Sequence, residues 1–236
     1  MQVLESWQST IASNLANAST PGYQKSNFSI SAPKSASDNN LSAAGARNGL
    51  TLPVGRITPS FADGGIRTTS NPTDFALGNG GFFAVSGDAG ERLFTKDGEF
   101  HLDSEGVLVN KMGYTVDVEG GELTVDLQKG PITVTSDGSV SQDGASLGII
   151  SSYAFSNPNE LERLSGSYFS DSKGSAGERL MEEDAAVMQG HLMGSSISAL
   201  GEMVSMIEAS RAYEMGQKLI QESDQRLSDA IQAFSV

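Results

Sequence analysis

Residues 196–234 read SISALGEMVSMIEASRAYEMGQKLIQESDQRLSDAIQAF. Ile197, Leu200, Val204 and Ile207 recur at helical spacing. Met215, Leu219, Leu227, Ile231 and Phe234 carry the pattern on, with Ala212, Gly216 and Ser223 as small contacts. This periodicity predicts one long amphipathic helix. Gly194 breaks the chain before it, and Ser195 or Ser196 offers a hydroxyl to cap the first free amides. Glu214 with Lys218, and Glu222 with Arg226, pair across one turn with the acid first, the order the helix dipole favours. At 1.5 Å per residue the stretch would run about 58 Å. That exceeds the width of a small domain, so much of the helix must pack outside any core built by the rest of the chain.

The opposite end carries a shorter counterpart. Leu4, Trp7, Ile11 and Ala18, with Leu15 beside them, make a narrow apolar stripe, and Thr20-Pro21-Gly22 stops the helix. A lone helix of about five turns is marginal in water and needs a partner. Between the ends the composition changes twice. Residues 26–65 are rich in Ser, Ala, Asn, Gly and Pro and read as an extended linker. From Ile66 short apolar runs such as Phe82-Phe83-Ala84-Val85 and Val107-Leu108-Val109 alternate with turn signals. Asp97-Gly98, Asp137-Gly138 and Asp143-Gly144 suit hairpins, because both residues of each pair accept positive φ. After Ser152-Tyr153-Ala154-Phe155 the chain reads as loop to about Gly190, including Glu182-Glu183-Asp184. The expected fold is α+β and mainly β: an antiparallel β-rich central domain inserted between terminal helices that pair as an antiparallel coiled coil. Its divisions are an N-terminal helix (1–25), a linker (26–65), a β-rich domain (66–190) and a C-terminal helix (191–236). The short helix covers about half of the long one, and the uncovered apolar seam calls for other copies or partners.

Composition narrows the function. The chain has 236 residues, with 29 acidic against 15 basic and a net charge of -14. Nucleic-acid binding needs clustered Lys and Arg to displace counterions, and no such cluster occurs. No apolar run approaches the roughly 20 residues that span a bilayer. With no cysteine, disulfides and thiolate chemistry are excluded. The first 20 residues lack the basic and apolar regions of a Sec-type signal. Gly78-Asn79-Gly80-Gly81 lacks the Lys-Ser/Thr of a phosphate loop and reads as a turn. The Asp137 to Asp143 stretch lacks the acid ladder of a calcium loop. His101 and His191 are the only histidines and have no companion ligands at metal spacing. No catalytic, cofactor-binding or metal residue is assigned. The residues expected to carry function are therefore apolar and helical: Leu4, Trp7, Ile11, Leu15, Leu200, Val204, Ile207, Met215, Leu219, Leu227, Ile231 and Phe234. Asn14 and Asn17, three apart near a helix end, either hydrogen-bond across subunits or cap locally.

Four stretches also resemble a known family. The N-terminal run from Ala12 to Lys25 (ASNLANASTPGYQK) resembles the N-terminal motif of bacterial flagellar rod and hook proteins. Asn71 to Val85 (NPTDFALGNGGFFAV) is similar to the opening of their β domain, and Phe94 to Val109 (FTKDGEFHLDSEGVLV) to the strand-turn-strand that follows. Glu202 to Met215 (EMVSMIEASRAYEM) resembles their C-terminal helix. The resemblance implies a structural rod subunit of the flagellar basal body that stacks helically with itself and with other rod proteins to transmit torque. It implies no cofactor, an outward-facing β domain, and export through the flagellar type III apparatus on an uncleaved N-terminal signal. The short segment between Ser26 and Asp63 points to the proximal-rod member before the distal-rod one. Members of the family usually have more helix before the position of Met1, and usually Glu-Ser-Asn-Val where Gly194-Ser195-Ser196-Ile197 stands. The competing readings are a monomeric β-rich surface-binding module and a hydrolase using His101 or His191.

Overall fold

A computed structural model describes residues 2–31, 54–87, 90–119, 123–180 and 186–234. It divides into two compact units: Met1–Ala16, Ser26–Thr58 and Ser198–Val236 form one, Asn17–Lys25 and Pro59–Ile197 the other.

The first unit contains helix α1 (Gln2–Ala16), helix α2 (Ala199–Phe234) and a two-stranded sheet of Ser26–Ser31 and Val54–Pro59. These strands occupy the two ends of the stretch read from composition as linker; residues 32–53 lie outside the described set. α1 packs against α2 and against the strand Ser26–Ser31. It ends two residues before Ala18, so that residue leaves the expected stripe. α2 starts at Ala199, later than the sequence suggests. Its cap is Ser198, whose Oγ accepts the Gly201 N–H at 3.4 Å and whose carbonyl accepts the Glu202 N–H at 3.0 Å. Of the two serines expected to cap it, Ser195 accepts the Ile197 N–H at 3.3 Å and Ser196 accepts the Lys25 N–H at 2.8 Å. At 1.5 Å per residue α1 is about 22 Å long and α2 about 54 Å.

The second unit is the β domain. Every strand pairing described in it is antiparallel. The largest sheet runs in the order Glu162–Ser165, Tyr168–Ser170, Arg92–Thr95, Phe82–Ser86, Thr115–Val116, Leu108–Asn110, Phe100–Leu102. Ser152–Phe155 shares one edge of Phe82–Ser86 with Thr115–Val116, and pairs on its other side with Glu178–Leu180. A smaller sheet orders Val118–Glu119, Ala145–Ile150, Ser139–Gln142 and Thr133–Val134. Phe75–Leu77 pairs with Val187–Gln189, and Ile66–Thr68 with His191–Met193. Strands thus occur within 156–190, where the sequence suggests loop, and His191–Met193 is a strand although it falls in the stretch assigned to the C-terminal helix.

Phe82–Ser86 explains why its apolar run is continuous. Side chains alternate across a strand. Phe83 and Val85 join one core with Phe75, Phe100, Leu108, Val140 and Ile150, while Phe82 and Ala84 join a second with Phe94, Tyr153, Leu161 and Phe169. Both faces are buried, so no polar alternation survives. Asp143 and Gly144 take positive φ between two paired strands, as a tight hairpin requires. Gly98 is glycine for another reason: a Cβ there would lie 1.7 Å from the Phe75 carbonyl oxygen.

Candidate assembly surface

The turn after α1 is built into the β unit. Thr20 donates its N–H to the Asn17 carbonyl at 3.1 Å, and Pro21 prevents the helix from resuming. Gly22 has φ +65°, and a Cβ on it would lie 2.2 Å from the Asp97 nitrogen and 2.3 Å from the Lys96 carbonyl carbon. Glycine is required both by the turn and by this backbone approach. The Gly22 N–H donates to the Met193 carbonyl at 2.8 Å. Tyr23 and Gln24 are buried. The Arg163 guanidinium lies 4.8 Å from the centroids of both Tyr23 and Phe169 and donates to the Gln24 carbonyl. Ser196 completes the patch: its N–H donates to the Tyr23 carbonyl at 3.0 Å, and its Oγ accepts the Lys25 N–H at 2.8 Å. The Ser60 N–H then donates to the Lys25 carbonyl at 2.7 Å.

Within the helical unit the polar centre is Asn14, 1% exposed. Its Nδ2 donates to Glu202 Oε2 at 3.0 Å and to the Ser26 carbonyl at 2.9 Å, while its Oδ1 accepts the Ser26 N–H at 2.9 Å. Glu202 is 2% exposed. Within its own chain Asn14 therefore joins α1, α2 and the first strand. Asn17 lies past the helix end, where its Oδ1 accepts the Thr20 hydroxyl at 3.4 Å. Of the apolar residues expected on α1, Ile11 is buried, and Leu4, Trp7 and Leu15 are half-buried.

α2 presents its faces differently from the expected single stripe. The fully buried residues in its first half are Glu202 and Ala209, and Met206, Tyr213 and Gly216 are among the half-buried ones. They follow a three-four repeat, the spacing of a coiled-coil seam. Leu200 lies nine residues before Ala209, about 180° around the helix, and is 75% exposed, while Val204 and Ile207 on its side are also exposed. These three residues form a back face turned away from the buried seam. Met215, Leu219, Leu227 and Ile231 are exposed as well, and every residue from Gln217 to Gln232 is exposed. The Phe234 side chain lies outside the described set, as does Glu182-Glu183-Asp184. Glu202, which carries the polar lock, is absent from the residues expected from apolar periodicity. The signal that reveals it is its place seven residues before Ala209 on the covered seam.

Elsewhere the polar chemistry is structural. His101 is exposed, and His191 Nδ1 lies 2.7 Å from the Gln189 carbonyl. Among the described residues no group of three or more acids or histidines could hold a metal. The buried Lys96 pairs with Asp63 at 2.5 Å and lies over the Phe82 ring. Asp97 sits by a cleft of about 360 Å³ with Tyr114, Tyr168, Met112 and Leu164. Burial raises its pKa to about 6, against the hydrogen bond it accepts from the Glu99 N–H.

Comparison with known proteins identifies three matching family models, in chain order. Residues 2–24 match the flagella basal body rod protein family, residues 76–142 the flagellar hook protein FlgE/F/G D1 domain, and residues 188–233 the flagellar basal body rod FlgEFG protein C-terminal family. Among curated relatives, the flagellar basal-body rod protein FlgG of Borreliella burgdorferi is 31% identical over 94% of this chain and 90% of its own. The FlgF protein of Caulobacter vibrioides is 28% identical over 94% and 89%, and FlgG of Bacillus subtilis 28% over 94% and 90%.

Proposed function

Because the chain belongs to the flagellar basal-body rod protein family, we propose that it polymerises through its two terminal helices, with the exposed faces of α2 as the principal subunit interface. It is a structural subunit of the flagellar basal-body rod and not an enzyme, and as a rod protein it assembles with other rod components in motility. The observation that carries the interface is the exposure of Leu200, Val204, Ile207, Met215, Leu219, Leu227 and Ile231 along one helix. Covering apolar area contributes about 25 cal/mol per Å², and water-exposed apolar seams of this length mark association surfaces. Leu4, Trp7, Ile11, Leu15 and Asn14 seat α1 for that purpose, and Asn17 follows in the turn after it. The helices pair as an antiparallel coiled coil. This is supported by the Asn14–Glu202 bond, which joins the end of α1 to the start of α2, and by the three-four repeat on α2. The β-rich unit lies outward, export proceeds through the type III apparatus without signal cleavage, and the subunit occupies the proximal rod, with the distal rod as the alternative.

The test is removal of residues 2–16 in the flagellated host. The expected outcome is a folded β unit, no rod containing the protein, and no swimming. Normal swimming would sink the proposal.

A further inference from the structure

Asp97 is a buried acid with half of its carboxylate uncommitted. The residue is 9% exposed. Its Oδ1 accepts the Glu99 N–H at 3.1 Å, and its Oδ2 has no hydrogen bond or ion pair among the described residues. The Lys111 ammonium lines the same cleft but pairs with Glu99 at 2.6 Å instead. The cleft holds about 360 Å³, a volume that takes small ligands and single side chains. Tyr114 and Tyr168 stand edge to face in its lining, with ring centroids 5.9 Å apart. The bond that the Tyr168 oxygen accepts from Asn110 Nδ2 at 3.0 Å fixes the second ring. Met112 and Leu164 also line the cleft, and they are 61% and 58% exposed.

We propose that this cleft docks an arginine side chain of a protein partner, with the guanidinium on Asp97 and its faces against Tyr114 and Tyr168. The inference goes beyond the rod-subunit reading, because it concerns a surface of the β unit that neither terminal helix supplies. Charge complementarity selects the occupant. A carboxylate withdrawn from water without a counter-charge favours a cation beside it. The raised pKa of Asp97 reflects that lack of compensation, with burial as its first cause. Glu91 adds a second acid to the lining. A guanidinium suits the place better than an ammonium. It is planar and weakly hydrated, and it stacks on aromatic rings while donating in its own plane to a carboxylate. The β unit already makes such a contact internally, where the Arg163 guanidinium lies 4.8 Å from the ring centroids of Tyr23 and Phe169. The exposed Met112 and Leu164 point to a protein as the source of the cation. They offer apolar surface that a free guanidinium cannot cover, and an arginine anchored in a pocket ringed by apolar contacts is the composition of an interface hot spot.

The test uses the full chain with methyl-labelled methionine, read by NMR at the Met112 methyl, whose signal is assigned with Met112→Leu. The probes are the peptide acetyl-Leu-Arg-Leu-amide, the same peptide with citrulline for arginine, and free arginine amide. The arginine peptide should shift the Met112 signal saturably, in the millimolar range or tighter. The citrulline peptide has nearly the same shape without the charge and should bind about tenfold more weakly. Arginine amide lacks the apolar flanks and should bind about fivefold more weakly. Asp97→Asn keeps the acceptor for the Glu99 N–H, so the chain stays folded, and it should weaken the arginine peptide about tenfold. Tyr114→Leu keeps the cleft apolar, removes one ring and should weaken it severalfold. Equal binding of the citrulline peptide would make the cleft merely apolar, and equal binding of arginine amide would make it a site for a free cation. Either result would overturn the inference, as would undiminished binding by Asp97→Asn or an unmoved Met112 signal. None of these outcomes bears on rod assembly, so the rod-subunit reading stands or falls separately.

Discussion

Asp97 carries a carboxyl on a backbone turn against which Gly22 packs, and most of its surroundings are protein. Its pKa is raised from 3.8 to about 6, chiefly by burial, with the Glu99 N–H and Lys111 acting in the opposite direction. A carboxyl whose folded pKa exceeds its unfolded one binds its proton more tightly when folded. Its stabilisation is therefore complete below about pH 4 and lost as pH rises through about 6. At neutral pH the charged form costs on the order of 2–3 kcal/mol. Asp97→Asn keeps the oxygen that accepts the Glu99 N–H and removes the charge. Thermal unfolding should shift upward by several degrees at pH 7 and by little at pH 4; an unchanged Tm at pH 7 would refute the assignment. Gly22 makes the opposite case. Alanine there meets the backbone of Lys96 and Asp97 and must hold φ +65°. Gly22→Ala should destabilise the β unit by about 2–4 kcal/mol, measured by urea unfolding. The Pro-Gly pair is legible in the sequence as a helix stop. That the same glycine is also a docking contact is not, since its partners lie some 75 residues further on.

At the scale of elements, legibility followed the strength of the local pattern. Both helices, the double-faced strand Phe82–Ser86 and the Asp143-Gly144 hairpin are readable because each carries its own period or turn chemistry. The strands Glu162–Ser165 and Tyr168–Ser170 are short and polar, and their pairing with each other and with Arg92–Thr95 is supplied by tertiary contact. The long stripe of α2 is a subtler case. Joining Leu200 to Phe234 through Met215 and Leu227 takes about 3.8 residues per turn, so on a helix of 3.6 the line drifts through almost half a circle. The residues are apolar for a reason, but they belong to two surfaces. The polar lock beneath them could not be found from apolar spacing, because Asn14 and Glu202 are hydrophilic and 188 positions apart. Asn14→Ala strips a donor from a buried carboxylate and two bonds from Ser26. It should lower helical-unit stability by about 2–4 kcal/mol. Circular dichroism during urea titration reads this as earlier loss of helix; an unshifted midpoint would contradict the role.

On the scale of the whole molecule, the division between units does not follow the division between helix and strand. Asn17–Lys25 continues α1 in the chain yet belongs to the β unit. The truncation that separates assembly from folding is therefore 2–16, whereas removing all of 1–25 also extracts buried Tyr23 and Gln24. The patch that holds this segment has a mechanical consequence. Entry residues Gly22 to Lys25 and exit residues Met193 to Ser196 of the β unit are bonded directly to each other, through Gly22 to Met193, Ser196 to Tyr23 and Lys25 to Ser196. A tension drawing residue 17 away from residue 197 loads these bonds together, in parallel. The larger sheet is tied to this segment through the bond from Arg163 to the Gln24 carbonyl, so it takes up the main load only once the patch parts.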